Sequence, residues 1–295
     1  MKIVHADEIA GRSESQHRGG SSSRQRLLEG EIGSADNFSL VIARPQDRYS
    51  PRHRHNFEQF RYQIEGIADY GRTGKLKPGM IGYFHEGVHY GPQAQGSGQE
   101  LCLLALQFGG ATGSGYPGRD AEYNGTRELM KLGTFKDGVF HRNPGVPGKK
   151  NVDGFQAIWE HLNGRPLVYA PPRYDVPILM HPDAFDWVPV EGAKGVYDKL
   201  MGVFTERRAE AGLLKLDAGA SYRVSGGRDI YFVLSGKGVV GGENYRRFTT
   251  AYLETKSEQT TFKASEATEM LHYRLPDLSA LKAQKQPGQA LHAAE

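Results

Sequence analysis

Short apolar runs broken by Gly, Pro and Asn recur along most of the chain, at 38–43, 57–64, 80–84 and 101–108 in the first half and at 202–205, 211–216, 230–234, 245–250 and 270–274 in the second. Runs of this length between turn formers are strands, and their spacing predicts an all-β protein of two small antiparallel barrels. One segment departs from that rhythm. In NVDGFQAIWEHLN, residues 151–163, Phe155, Ile158, Trp159 and Leu162 recur at helical spacing after Asp153, a residue type suited to an N-cap. A short helix is therefore expected between the two sets of strands.

The two sets also resemble each other. FRYQIEG at 60–66 and IYFVLSG at 230–236 share an apolar pattern that ends in glycine. Extending the pairing backwards sets Arg223 against His53, Ser225 against His55 and Asp229 against Gln59, and with one residue of slack Glu258 falls against His89. The second copy has lost every imidazole. The resulting domain reading is a polar arm at 1–25, a first barrel at 26–115, a linker with a helix at 116–180, a second barrel at 181–280 and a tail at 281–295. The polar stretches 14–24 and 282–295 are expected to be mobile unless a partner holds them.

Composition narrows the classes. The 295 residues carry 37 Lys plus Arg against 34 Asp plus Glu, with the basic residues scattered, so nucleic acid is not an expected partner. There is no uninterrupted apolar stretch of membrane-spanning length and no apolar leader segment, and the one cysteine, Cys102, lies in an apolar run. The expectation is a cytoplasmic protein without membrane association or an intrachain disulfide. Exposed strand edges are commonly covered by a second copy, which makes a homodimer the expected assembly.

The chemistry is concentrated in His53, His55, Gln59 and His89. Residues of equal parity on a strand share one face, so 53, 55 and 59 would all look into the first barrel while Glu58 looks out, into solvent or an interface. His89 would come from a neighbouring strand or its turn. Three imidazoles so placed can hold one transition metal and leave positions open for a substrate. Arg61 and Gln63 continue the inward parity, and Tyr83 and His85 are further candidates for the cavity wall or rim. Arg61 would either pair with a substrate carboxylate or enolate, or form a structural salt bridge with Asp69 or Glu65.

At these residues the sequence resembles the cupins. HRHNFEQFRYQIEG at 53–66 is similar to the first cupin motif and PGMIGYFHEGVH at 78–89 to the second, with Gln59 in place of the usual glutamate and His85 in place of the usual proline. The resemblance covers about residues 26–112, and the second half looks like a degenerate cupin, so the whole resembles a bicupin. It implies a barrel of the jelly-roll type with one divalent transition metal on His53, His55 and His89. Gln59 is then a weak fourth ligand or a hydrogen-bond partner of a ligand histidine.

Exchanging a carboxylate for an amide leaves a neutral ligand set, which among cupins is similar to that of iron(II) dioxygenases acting on small anionic or enolisable substrates. Fe2+ is accordingly the first expectation for the metal. A sugar-acid isomerase or lyase using Zn2+, Ni2+ or Mn2+ is the second reading, and a non-enzymatic small-molecule-binding bicupin the third. No nucleophile elbow, phosphate-binding loop or Cys-x-x-Cys pattern competes with these. The glycine-rich run 109–115 reads as a mobile loop able to cover the site.

Overall fold

The computed structural model of the chain describes residues 1–278, apart from Gln16, Gly19, Arg48, Gly96 and Ser97, together with Leu281. Two antiparallel β-units form it, each built on a seven-stranded sheet. In the first the order runs Ile178–Met180, Ile81–Phe84, Phe57–Glu65, Cys102–Gly109, Phe38–Gln46, Ser21–Glu29 and Arg12–Ser15, with two small ribbons at 49–50/93–94 and 68–69/75–76. In the second it runs Lys2–His5, Thr249–Leu253, Asp229–Ser235, Thr268–Arg274, Ala209–Leu216, Val196–Phe204 and Val188–Pro189, and a four-stranded sheet packs against it around one apolar interior. The fold is all-β, as the run pattern predicts, and the two units are jelly rolls.

The units exchange edge strands. Lys2–His5 from the chain start pairs with Thr249–Tyr252 of the second unit, while Ile178–Met180 from the end of the linker pairs with Ile81–Tyr83 of the first. The polar arm at 1–25 is thus not a free extension: its strands belong to both sheets, and Ser21–Glu29 pairs along Ser39–Gln46. Its alternation of small polar and basic residues resembles a linker in composition, yet alternate positions, Ser22 and Arg24, are buried. The expected tail lies outside the described residues apart from Leu281.

The largest core lies between the units. Phe60 stacks on Tyr273 with ring centroids 5.1 Å apart, Phe38 meets Tyr252 at 5.3 Å and Tyr83 meets Phe204 at 4.2 Å. The strand Phe57–Glu65 therefore divides its side chains by parity: Glu58 and Phe60 face the second unit, Gln59 and Arg61 face the interior of the first.

Two helices lie in the linker, α1 (Arg119–Leu129) and α2 (Gly154–Asn163). The second is the helix that the apolar spacing predicts: Asp153 Oδ1 accepts from the backbone N–H groups of Phe155 and Gln156, and Gly164 ends it in the left-handed region. Both helices lend side chains to the mouth of the first barrel.

Candidate functional site

A cavity of about 50 Å³ occupies the interior of the first barrel. At about 10–15 Å³ per water, it admits a molecule of a few non-hydrogen atoms. One wall is apolar, formed by Val41, Ala43, Leu103 and Ala105 from two adjacent strands. The rest is polar and mainly basic: Arg61 and Gln59 come from the central strand, Gln107 from its neighbour, Arg18 and Arg24 from the N-terminal arm, and Arg119 from α1. Among the described residues lining it, Glu122 is the one carboxylate, and it pairs with Arg119 at 2.9 Å. Arg18 pairs with Asp153 at 3.2 Å, which ties the arm to the start of α2.

Arg61 lies at the centre of this arrangement, 6 % exposed. Its Nε and Nη2 donate to Gln59 Oε1 at 3.2 and 2.7 Å, its Nη1 donates to the Tyr70 hydroxyl at 2.9 Å, and Nη2 also donates to the Tyr90 hydroxyl at 2.9 Å. Its guanidinium carbon lies 4.4 Å from the centre of the Phe84 ring. All of these partners are neutral. The salt bridge to Asp69 or Glu65 that the sequence allows is not formed; Asp69 pairs instead with Lys75 at 3.2 Å.

The two arginine bonds fix the Gln59 amide, and the amide in turn fixes His55. With Oε1 committed to Arg61, Gln59 Nε2 donates to Tyr90 Oη at 3.1 Å and to His55 Nδ1 at 3.3 Å. The Tyr90 hydroxyl, accepting from both Gln59 and Arg61, donates to the same Nδ1 at 3.0 Å. Facing only donors, Nδ1 is an acceptor, so the neutral ring carries its proton on Nε2. Burial, followed by the nearby positive groups His53, Arg18, Arg61 and His17, holds the His55 pKa well below the usual histidine range.

His53 has the opposite tautomer, since Nδ1 donates to Pro51 O at 2.7 Å. Its ring lies 4.9 Å from that of His55. His89, the third expected ligand, points the other way. In the segment 88–90 the side chains alternate, with Val88 and Tyr90 buried and His89 exposed, so Tyr90 occupies the inward place beside His53. The structure joins His53, His55, Gln59 and Arg61 and leaves His89 outside.

Two further sequence candidates lie off the cavity for the same reason of parity. Tyr83 is opposite Phe60 in the sheet and faces the second unit, where its hydroxyl donates to Glu58 Oε2 at 2.9 Å. His85 shares that side and packs on Tyr174 at 5.1 Å. Gln63 has the inward parity but turns along the strand end, donating to Glu65 O at 2.6 Å. Glu58 is buried in the interface between the units, and desolvation, offset in part by the Tyr83 bond, pushes its pKa up to about 7. The glycine-rich run does not cover the cavity either: Ala111 N donates to Glu58 and Thr112 N to Glu86, which anchors that loop on the opposite face of the sheet.

This donor set does not fit a three-histidine metal centre. His89 is turned away, the His55 Nδ1 lone pair is engaged by two donors while Nε2 is protonated, and the inward third position holds a tyrosine. Among the described residues no group of three or more His, Cys, Asp or Glu side chains comes together in a way that could hold a metal ion.

Nothing in the sequence pattern marked Tyr70, Tyr90 or the arginines of the arm and α1. The alternation Val88, His89, Tyr90 was the one available sign, and it favours the tyrosine.

No family model and no curated protein matches the chain. Solved structures do. A "putative dioxygenase" from Nostoc punctiforme is 12 % identical with a TM-score of 0.60, over 100 % of this chain and 87 % of that one. A structure of oxalate decarboxylase from Bacillus subtilis, described for its Mn(II) centres, is 13 % identical with a TM-score of 0.50, over 100 % and 87 %. The class these define is the bicupin fold, which the two β-units of this chain share.

Proposed function

We propose that the chain is a small-molecule-binding bicupin whose working site is the interior of the first barrel, and that its ligand is a small organic anion. Arg61 carries this reading. A guanidinium buried among neutral partners is costly unless an opposite charge comes near it, and a carboxylate in the adjoining cavity supplies that charge and can accept from the Nη1 proton that Gln59, Tyr70 and Tyr90 leave over. The protein's part in binding is to hold that charge still, surround it with further donors and exclude water with the helical cap that includes Phe155.

Calorimetric titration with acetate, propionate, butyrate and malonate, each beside the amide of the same skeleton, tests the proposal. Binding of at least one acid, with its amide at least tenfold weaker, is the expected result. Equal binding of acid and amide would overturn it.

A metal-dependent oxidoreductase, in the first instance an iron(II) dioxygenase, is the second reading. The adjacent rings of His53 and His55 favour it, as does the fold shared with proteins described as a dioxygenase and as a manganese enzyme. A fold hosts many chemistries, so its weight depends on the pair of histidines. Oxygen consumption by protein supplied anaerobically with iron(II), against diketones, catechols and hydroxy acids, discriminates: uptake lost in His53→Ala and His55→Ala supports this reading. The sugar-acid isomerase or lyase reading has no observation of its own.

A further inference from the structure

We infer that the first barrel is a metal-independent carboxylate site in which Arg61 supplies the fixed positive charge, and that its ligand is a short-chain carboxylate with an apolar end. The inference rests on the anion reading above and adds two restrictions to it.

The first restriction concerns the cation. Four bonds from Arg61 lock Gln59, Tyr70 and Tyr90, and through them the His55 ring is held in the tautomer that presents an N–H on Nε2. Recruiting a metal would require breaking this chain at several points, because the lone pair, the amide oxygen and the inward third position are all committed. The charged groups among the described residues that line the cavity are instead mainly cationic, Arg18, Arg24, Arg61 and Arg119 against the single carboxylate Glu122, a balance that favours an anion.

The second restriction concerns the ligand. Val41, Ala43, Leu103 and Ala105 form a continuous apolar wall on the two strands beside the central one, while the basic groups stand on the remaining sides. Ser22 Oγ and Gln93 Oε1, both on lining residues at most 5 % exposed, have no hydrogen-bond partner among the described residues. They add one hydroxyl and one acceptor for a ligand or its bound water. A ligand with one charged end and one short hydrocarbon end meets both walls, whereas a dicarboxylate would set its second charge against hydrocarbon.

The test uses the full chain, stripped with a chelator and dialysed against Co2+, Mn2+, Fe2+ or Zn2+. Bound metal is counted by atomic emission, and cobalt is also read from its visible absorption. Fewer than about 0.1 ions per chain, no cobalt band and butyrate binding within about twofold with or without chelator are the expected results. One ion per chain, lost in His53→Ala or His55→Ala, would overturn the inference whether or not carboxylates bind. Butyrate binding should also exceed that of succinate at least tenfold, and the reverse order would overturn the apolar-end restriction. Absence of all carboxylate binding with no metal uptake would overturn the anion reading itself, and with it the ligand assignment, so the two failures are told apart.

Discussion

The two barrels start from nearly the same strand and end with opposite interiors. In the first, the inward positions of Phe57–Glu65 include Gln59 and Arg61; in the second, the matching positions of Asp229–Ser235 are Asp229 and Tyr231, followed by Val233. The second barrel is closed with hydrocarbon, Leu253, Phe262 and Met270 among it. Its inward carboxylates have their partners in the fold: Asp229 meets His272 at 2.7 Å and Arg274 at 2.9 Å, and Glu210 meets Arg274 at 3.1 Å. In the first, the buried charge has neutral partners and a cavity beside it. A buried charge with its counter-charge in the fold is structure. A buried charge without one among the described residues is an invitation to a ligand, and on the proposed reading this difference assigns the ligand to the first barrel.

Packing should expose the contrast most strongly. Leu253→Ala in the filled barrel is expected to cost about 3 kcal/mol, whereas Leu103→Ala on the cavity wall should cost only about 1, because fewer atoms surround it. Denaturant unfolding of both variants checks this, and equal losses would mean that the first barrel is as tightly filled as the second. Removing the counter-charge of Asp229 comes next. Arg274→Ala should cost about 2 kcal/mol, with His272 retaining part of the compensation, and should leave carboxylate affinity unchanged. A change in affinity would show that the second barrel shares in the site.

The smallest expected effects lie in pH dependence. Glu58 has a folded pKa of about 7, above its unfolded value near 4.5, so its contribution is fully present below about 4.5 and is lost as pH rises through 7. His55 acts in the opposite sense: its folded pKa is depressed, so stability falls as pH drops below the unfolded value of about 6.5. The two slopes oppose each other between roughly pH 4.5 and 6.5. Glu58→Gln should therefore steepen the loss of stability on acidification and raise stability at pH 8 by about 1 kcal/mol. A thermal melt series from pH 5 to 8 reads both effects. An unchanged profile would mean that Glu58 is not protonated in the interface.

Much of this was legible in the chain. Strands and α2 follow from periodicity and an N-cap, and the shared inward face of Gln59 and Arg61 follows from strand parity. What escaped depends on tertiary context. The Ser- and Arg-rich arm reads as a linker until its buried positions find the cavity, and α1 has too few apolar residues to show a helical stripe. His89 and Tyr90 differ by one position, and a histidine drew the assignment that alternation gives to the tyrosine. Tyr83 and His85 share a parity that the second unit, not the cavity, claims; only the packing of the two units reveals which face is which.

The central claim is that the charge of Arg61 makes the first barrel a ligand site, and Arg61→Gln tests it most directly. In calorimetric titrations of chelator-treated protein with butyrate, the wild type should bind one molecule per chain and the variant at least tenfold more weakly, about 1.4 kcal/mol or more. Thermal melts would confirm that the variant is folded. Binding unchanged in a folded Arg61→Gln variant would contradict the account.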